Sequence, residues 1–177
     1  MNDSARKSAA QYLLAAAVFA AAVVLDQMTK AAAVKALAGG SIPLIKGVLE
    51  FLYVENRGAA FGIFQNGTWF FTLTAIAAIA ILTVIYVKCP GAKRYLFLRI
   101  CLVLIGAGAA GNLIDRVCLH YVRDFIYFSL IDFPVFNVAD IYVTVCTFGL
   151  ALLILFYYKE DELAFLSKGH GGGETAE

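Results

Sequence analysis

The sequence predicts an all-α membrane protein with four transmembrane helices, and three observations carry that prediction. Of the 177 residues, 62% are apolar and only 15% charged, against roughly 45 to 50% apolar in soluble domains; mean hydropathy is +0.80. Four apolar stretches approach or exceed the roughly 20 residues needed to cross a hydrocarbon layer about 30 Å thick. Basic residues in the connectors are also biased to one side. A net charge of +1 gives no case for nucleic acid binding, and one compact unit over residues 1–168 with a flexible polar tail at 169–177 accounts for the length.

The first stretch runs from Tyr12 to Leu25, is interrupted by Asp26-Gln-Met-Thr-Lys30, and resumes to Ala38. It resembles a signal peptide only in its Arg6-Lys7 start and Ala-rich core. The apolar pattern resumes after Lys30, and the charge bias holds only with an even total of spans, which favours an uncleaved helix. Between Gly39 and Thr68 the run Val48 to Glu55 is β-prone and bounded by Gly47 and Asn56, which predicts strands at the outer membrane surface between helices 1 and 2.

Trp69 to Val87 carries no formal charge and is the cleanest span. Cys89 to Tyr95, with Pro90-Gly91, is a short turn. Leu96 to Ile114 is broken only by Arg99 near one end, where a long side chain can snorkel to the headgroups. Its Gly106-Ala-Gly-Ala-Ala-Gly111 patch admits a neighbouring backbone closely. It is no phosphate loop, since no strand precedes it and no Lys-Ser/Thr follows. Val138 to Tyr158 is the fourth span.

Arg6, Lys7, Lys88, Lys93, Arg94, Lys159 and Lys168 fall on the side of the termini; Lys46, Arg57 and Arg123 fall on the other. Seven against three places both termini in the cytoplasm. Cys89, Cys101, Cys118 and Cys146 are scattered, without C-x-x-C spacing or neighbouring histidines. They read as free thiols acting as small hydrophobes, and no metal site or cofactor is called for.

Depth organises the polar residues. At 1.5 Å per residue, Asp26 lies about 21 Å beyond Tyr12, and Asp115 and Arg116 lie about 28 Å beyond Leu96. Asp140 opens the fourth span and Asp124 follows the third. These residues, with Lys30 and the asparagines Asn56, Asn112 and Asn137, therefore converge on one level near the outer interface. Charges at that depth cannot face lipid unpaired. Asp26 and Lys30, four apart with the acid first, suit an ion pair that struts the bundle. Asn112 is spaced to reach Asp115 and Arg116 along its own helix, and Arg116 is equally a strut or a substrate clamp.

Asn137-Val-Ala-Asp140 has the spacing of a helix start, with Asn137 as N-cap and Asp140 favoured by the dipole. That reading suffices for Asp140 alone but leaves Asp124 unexplained. Two carboxylates at one desolvated site cannot both ionise cheaply, so one keeps its proton while the other accepts one from water. This is the arrangement needed to hydrolyse a peptide bond without a metal or a nucleophilic side chain. The helix N-terminus would make Asp140 the resting base and Asp124 the acid. The alternative is a small proton-coupled membrane carrier relaying protons through buried carboxylates, although it lacks the interrupted helix pair expected of inverted repeats. A noncatalytic scaffold binding lipidated partners is the third reading.

Asp26-Gln-Met-Thr-Lys30, Val54-Glu-Asn-Arg-Gly-Ala-Ala-Phe61, Gly111-Asn-Leu-Ile-Asp-Arg-Val117, Val122-Arg-Asp-Phe125 and Phe136-Asn-Val-Ala-Asp140 together resemble the ordered motif set of the lipoprotein signal peptidase (signal peptidase II) family. The stretch Ser129 to Phe133 and the segment after Lys159 lie outside the resemblance. The resemblance implies an intramembrane aspartyl endopeptidase of the bacterial inner membrane. It would cut diacylglyceryl-modified prolipoproteins just before the lipidated cysteine. It also implies a catalytic dyad of Asp124 and Asp140, with Asn56, Asn112, Arg116 and Asn137 lining the cleft or supporting the oxyanion. Asp26, Lys30 and Asp115 remain as structural polar support.

Overall fold

A computed structural model describes residues 7–58 and 67–166. The tail at 169–177, Arg6 and Lys168 of the charge count, and Ala59 to Phe61 of the second motif lie outside the described residues. In chain order the elements are α1 (Ala9–Ala36), β1 (Ile42–Ile45), β2 (Leu49–Asn56), α2 (Thr68–Lys88), α3 (Leu96–Leu119), β3 (Val122–Tyr127) and α4 (Val138–Leu152). A π-helical turn, Leu153–Tyr157, prolongs α4. The four helices are long and apolar enough to cross a membrane.

Local chemistry sets the helix ends. Ser8 caps α1 reciprocally with Gln11. α2 stops at Cys89, whose extended backbone suits the following Pro90. α3 closes on His120 in the left-handed region, φ 66°. α4 starts on Asn137, whose Oδ1 accepts from Asp140 N (3.0 Å) while Asp140 Oδ2 accepts from Asn137 N (3.1 Å).

α3 is the central helix. Half of its apolar window is buried, compared with 6 to 11% in the other three spans, and it packs against α1, α2 and α4. The small-residue patch makes this possible. A Cβ on Gly108 would lie 2.5 Å from Ala139 O and 2.8 Å from Val143 Cγ2 of α4, and one on Gly111 would collide with the Asp26 carboxylate of α1. α3 thereby draws the polar level of α1 and the N-terminus of α4 onto itself.

The strands differ from expectation in number. β1 and β2 do lie between α1 and α2, but the sheet has a third strand, β3, contributed by the α3–α4 connector. Asp124 belongs to that strand and not to an irregular loop. β2 and β3 are antiparallel, with Val54 opposite Asp124 and Asn56 opposite Val122. An isolated bridge from Ile126 to Phe136 ties the sheet to the start of α4.

At the other end, Lys7 Nζ donates to Val87 O (3.1 Å) and Cys89 O (2.6 Å), clasping the start of α1 to the end of α2. Arg94 pairs with Glu162 and donates to Tyr157 O (3.0 Å), fastening the chain after α4 to the start of α3. Arg99 is 6% exposed, lines a cavity with Gln11, Leu14 and Tyr86, and reaches back to Ala92 O (3.4 Å) in the turn before α3.

Candidate active site

Apart from Arg116, the polar residues predicted from depth form one connected network. Lys30, fully buried, pairs with Asp26 (2.9 Å), reaches Asp115 (3.7 Å) and donates to Asn112 Oδ1 (2.8 Å). Asp26 Oδ1 accepts the Ala139 N–H (3.0 Å), satisfying one of the open amides at the start of α4. Asp26 with Lys30 thus ties α1 to the end of α4 that carries Asp140.

Asn112 does not bond Asp115 or Arg116 along its own helix, as its spacing suggested. It faces α4: Nδ2 donates to Asp140 Oδ1 (2.7 Å), and Oδ1 also accepts from Asn137 Nδ2 (3.1 Å). Close approach at the glycines puts α4 within reach, and cross-helix partners replace helical neighbours. Asp115 turns to β3 instead, binding Arg123 through Nη2 (2.7 Å), Nε (3.1 Å) and backbone N (3.0 Å).

Asp124 and Asp140 meet through Asn137. Asn137 Nδ2 donates to Asp124 Oδ1 (2.6 Å), while its backbone N–H donates to Asp140. Asn56 Nδ2 donates to Asp124 Oδ2 (2.9 Å), and Asn56 is itself oriented by the Gly58 N–H on its Oδ1 (3.0 Å). Each acid thus accepts two hydrogen bonds from neutral amides, and Lys30 is linked to the site by hydrogen bonds through Asn112 while its charge is felt by both carboxylates. Both carboxylates line a cavity of about 510 Å³ with Asn56, Phe128, Phe133, Ile141 and Val145 among its walls. Burial, and next the charge of Asp140, raise the Asp124 carboxyl to about 7 against the pull of the Asn56 and Asn137 amides.

Such a site can hold one proton on a carboxyl while the other remains a base. Arg116 stands aside: its guanidinium sits 5.4 Å from the Phe71 ring centroid, with no hydrogen bond to an acid among the described residues. Asp140 and Asp124 are nevertheless near enough for their charges to act on it.

Comparison with known proteins decides what this arrangement belongs to. The family model described as Signal peptidase (SPase) II matches residues 18–156. The chain belongs to the signal peptidase II family. A lipoprotein signal peptidase of Clostridium tetani is 45% identical over 143 residues, covering 78% of this chain and 88% of that protein. That of Clostridioides difficile is 41% identical over 138 residues, covering 77% and 91%. Two solved structures described as bacterial membrane enzymes, determined by the in meso method, superpose with TM-scores of 0.73 and 0.71 at 27% and 28% identity. They cover 98% and 89% of this chain and all of theirs. Signal peptidase II membership makes this a lipoprotein-processing protease with several membrane-spanning helices and bacterial relatives.

Two network residues were missed by sequence reasoning. Gln27 Nε2 lies within bonding distance of Asp26, Gly111 O and Asp115, and its Oε1 accepts from Arg123 (2.8 Å). A second amide beside Asp26 inside an apolar span was the available signal. Arg123 enters the sequence analysis as a topology charge and within the Val122-Arg-Asp-Phe125 block, with no bonding role. Its place in Val122-Arg-Asp-Phe-Ile-Tyr127, a β-prone run, could have marked it as half of a strand.

Proposed function

We propose that the chain is an intramembrane aspartyl endopeptidase that removes the signal peptide from diacylglyceryl-modified prolipoproteins, cutting just before the lipidated cysteine. Asp124 and Asp140 form its dyad. The observation that carries this reading is that two acids from distant elements open on one apolar-walled cavity, each held by neutral amides.

Asp140, placed by the α4 N-terminus, takes a proton from the attacking water. Asp124, which keeps its proton near neutrality, donates it to the scissile carbonyl oxygen, giving a neutral gem-diol. Collapse returns the oxygen's proton to Asp124 and passes the proton held by Asp140 to the departing amine, which restores the pair. Asn56, Asn112 and Asn137 fix the carboxylates, while Arg116 supplies positive potential to the substrate backbone or the developing oxyanion. Asp26, Lys30 and Asp115 hold the helices that carry the acids.

The bundle end bearing Lys7, Lys88, Lys93, Arg94 and Lys159 faces the cytoplasm, and the sheet and cavity face outward. A diacylated substrate anchored in the outer leaflet presents its scissile bond at that depth. The test is cleavage of a diacylated precursor peptide by purified protein, read by mass. Asp124→Asn and Asp140→Asn each lower the rate by at least about a hundredfold while the protein stays folded. Full activity in either variant would remove that residue from the dyad.

A further inference from the structure

At the end of the bundle opposite the acids, α1, α2 and α3 border an open cavity of about 250 Å³, lined by Leu14, Ala15, Val18, Tyr86, Arg99 and Val103 among others. Apolar side chains form its length, and one cation sits among them. Arg99 is 6% exposed, and its Nε has no hydrogen-bond partner among the described residues. The one hydrogen bond it donates among the described residues is long, 3.4 Å from Nη2 to Ala92 O.

No carboxylate among the described residues pairs with it. Glu162, the nearby candidate, is committed to Arg94 and to the Lys159 N–H. A second cation lies near enough for its charge to be felt: burial first, and the Arg99 guanidinium as well, hold the Lys7 ammonium below its ordinary range. Lys7 in turn spends its donors on Val87 O and Cys89 O. A buried guanidinium with an orphaned donor and no counter-charge among the described residues is costly. An anionic acceptor attached to an apolar tail satisfies both halves of the cavity. Basic pockets between transmembrane helices hold anionic headgroups by the same logic.

We propose that this cavity is a binding site for one anionic phospholipid, its phosphate on Arg99 and one acyl chain along Leu14, Ala15, Val18 and Val103. The lipid fills the space between α1 and α3 at the face opposite the acids. Its binding is read independently of cleavage.

The experiment is native mass spectrometry of the full chain released from detergent containing phosphatidylglycerol, phosphatidylcholine or glycerol 3-phosphate. The wild type retains one phosphatidylglycerol and releases the other two. Arg99→Gln reduces that adduct at least tenfold. Ala15→Phe, which occupies the cavity from α1 and keeps the cation, does the same and stands in should Arg99→Gln fail to fold. Equal retention of phosphatidylcholine, undiminished retention by a folded Arg99→Gln or Ala15→Phe, or retention of glycerol 3-phosphate alone overturns the proposal. So does phosphatidylglycerol retention that emerges only in Asp3→Asn, because Arg99 would then be neutralised by the chain's own N-terminus.

Discussion

Asn137 is the residue on which both acids depend, since its Nδ2 donates to Asp124 while its backbone N–H donates to the Asp140 carboxylate and its Oδ1 accepts the Asp140 N–H. The consequence for Asp124 can be measured. Its folded carboxyl binds a proton more tightly than in the unfolded chain, so it favours folding fully below its ordinary value of 3.8. That contribution is lost as pH rises toward about 7. Thermal unfolding in detergent should therefore show a midpoint that declines across this window, with the decline removed in Asp124→Asn. An unchanged slope in that variant would assign the titration elsewhere. Lys30 provides the opposite case, because Asp26 and Asp115 are fully buried around it. Lys30→Met leaves two buried carboxylates without their cation and should destabilise the protein by about 3 to 5 kcal/mol, read as a lower urea midpoint at constant slope.

At the scale of elements, α3 is a spacer whose missing side chains set the distances in the site. Gly108 faces backbone of α4 and not a flexible side-chain end, so an added methyl has nowhere to go. Gly108→Ala should push α4 outward at Ala139, shift Asp140 away from Asn112 and destabilise the bundle by about 1 to 3 kcal/mol. Cleavage should fall with it, through kcat more than KM, as the acid is displaced. Normal stability and turnover in this variant would show that α4 tolerates the shift. β3 works by register: Asp115 and Gln27 grip Arg123, and the next residue along the strand, Asp124, points toward Asn56 and the cavity. An antiparallel strand alternates faces, so a one-residue slip would exchange the two and empty the site.

For the whole molecule, the polar level lies at one end of a bundle whose other end is fastened by Lys7 and Arg94. The proposed orientation is tested with single cysteines in a Cys118→Ser background, Cys118 being the exposed thiol. A membrane-impermeant maleimide applied to intact cells should label Lys46→Cys in the β1–β2 turn and leave Glu160→Cys unlabelled until the membrane is opened. The reverse pattern would invert the topology.

The sequence by itself determined the four spans, the helix start at Asn137 and the common depth of Asp26, Lys30, Asp115 and the two acids. Hydropathy, capping and helical rise are local properties, summed along the chain. Tertiary structure alone decided who bonds to whom: Asn112 crosses to Asp140, Asp115 turns to Arg123, Arg116 rests on Phe71, and Asp124 rides a strand paired with a segment 68 residues earlier. Those choices follow from how closely the Gly108 and Gly111 backbone lets α1 and α4 approach. Spacing along one helix carries no information about that separation.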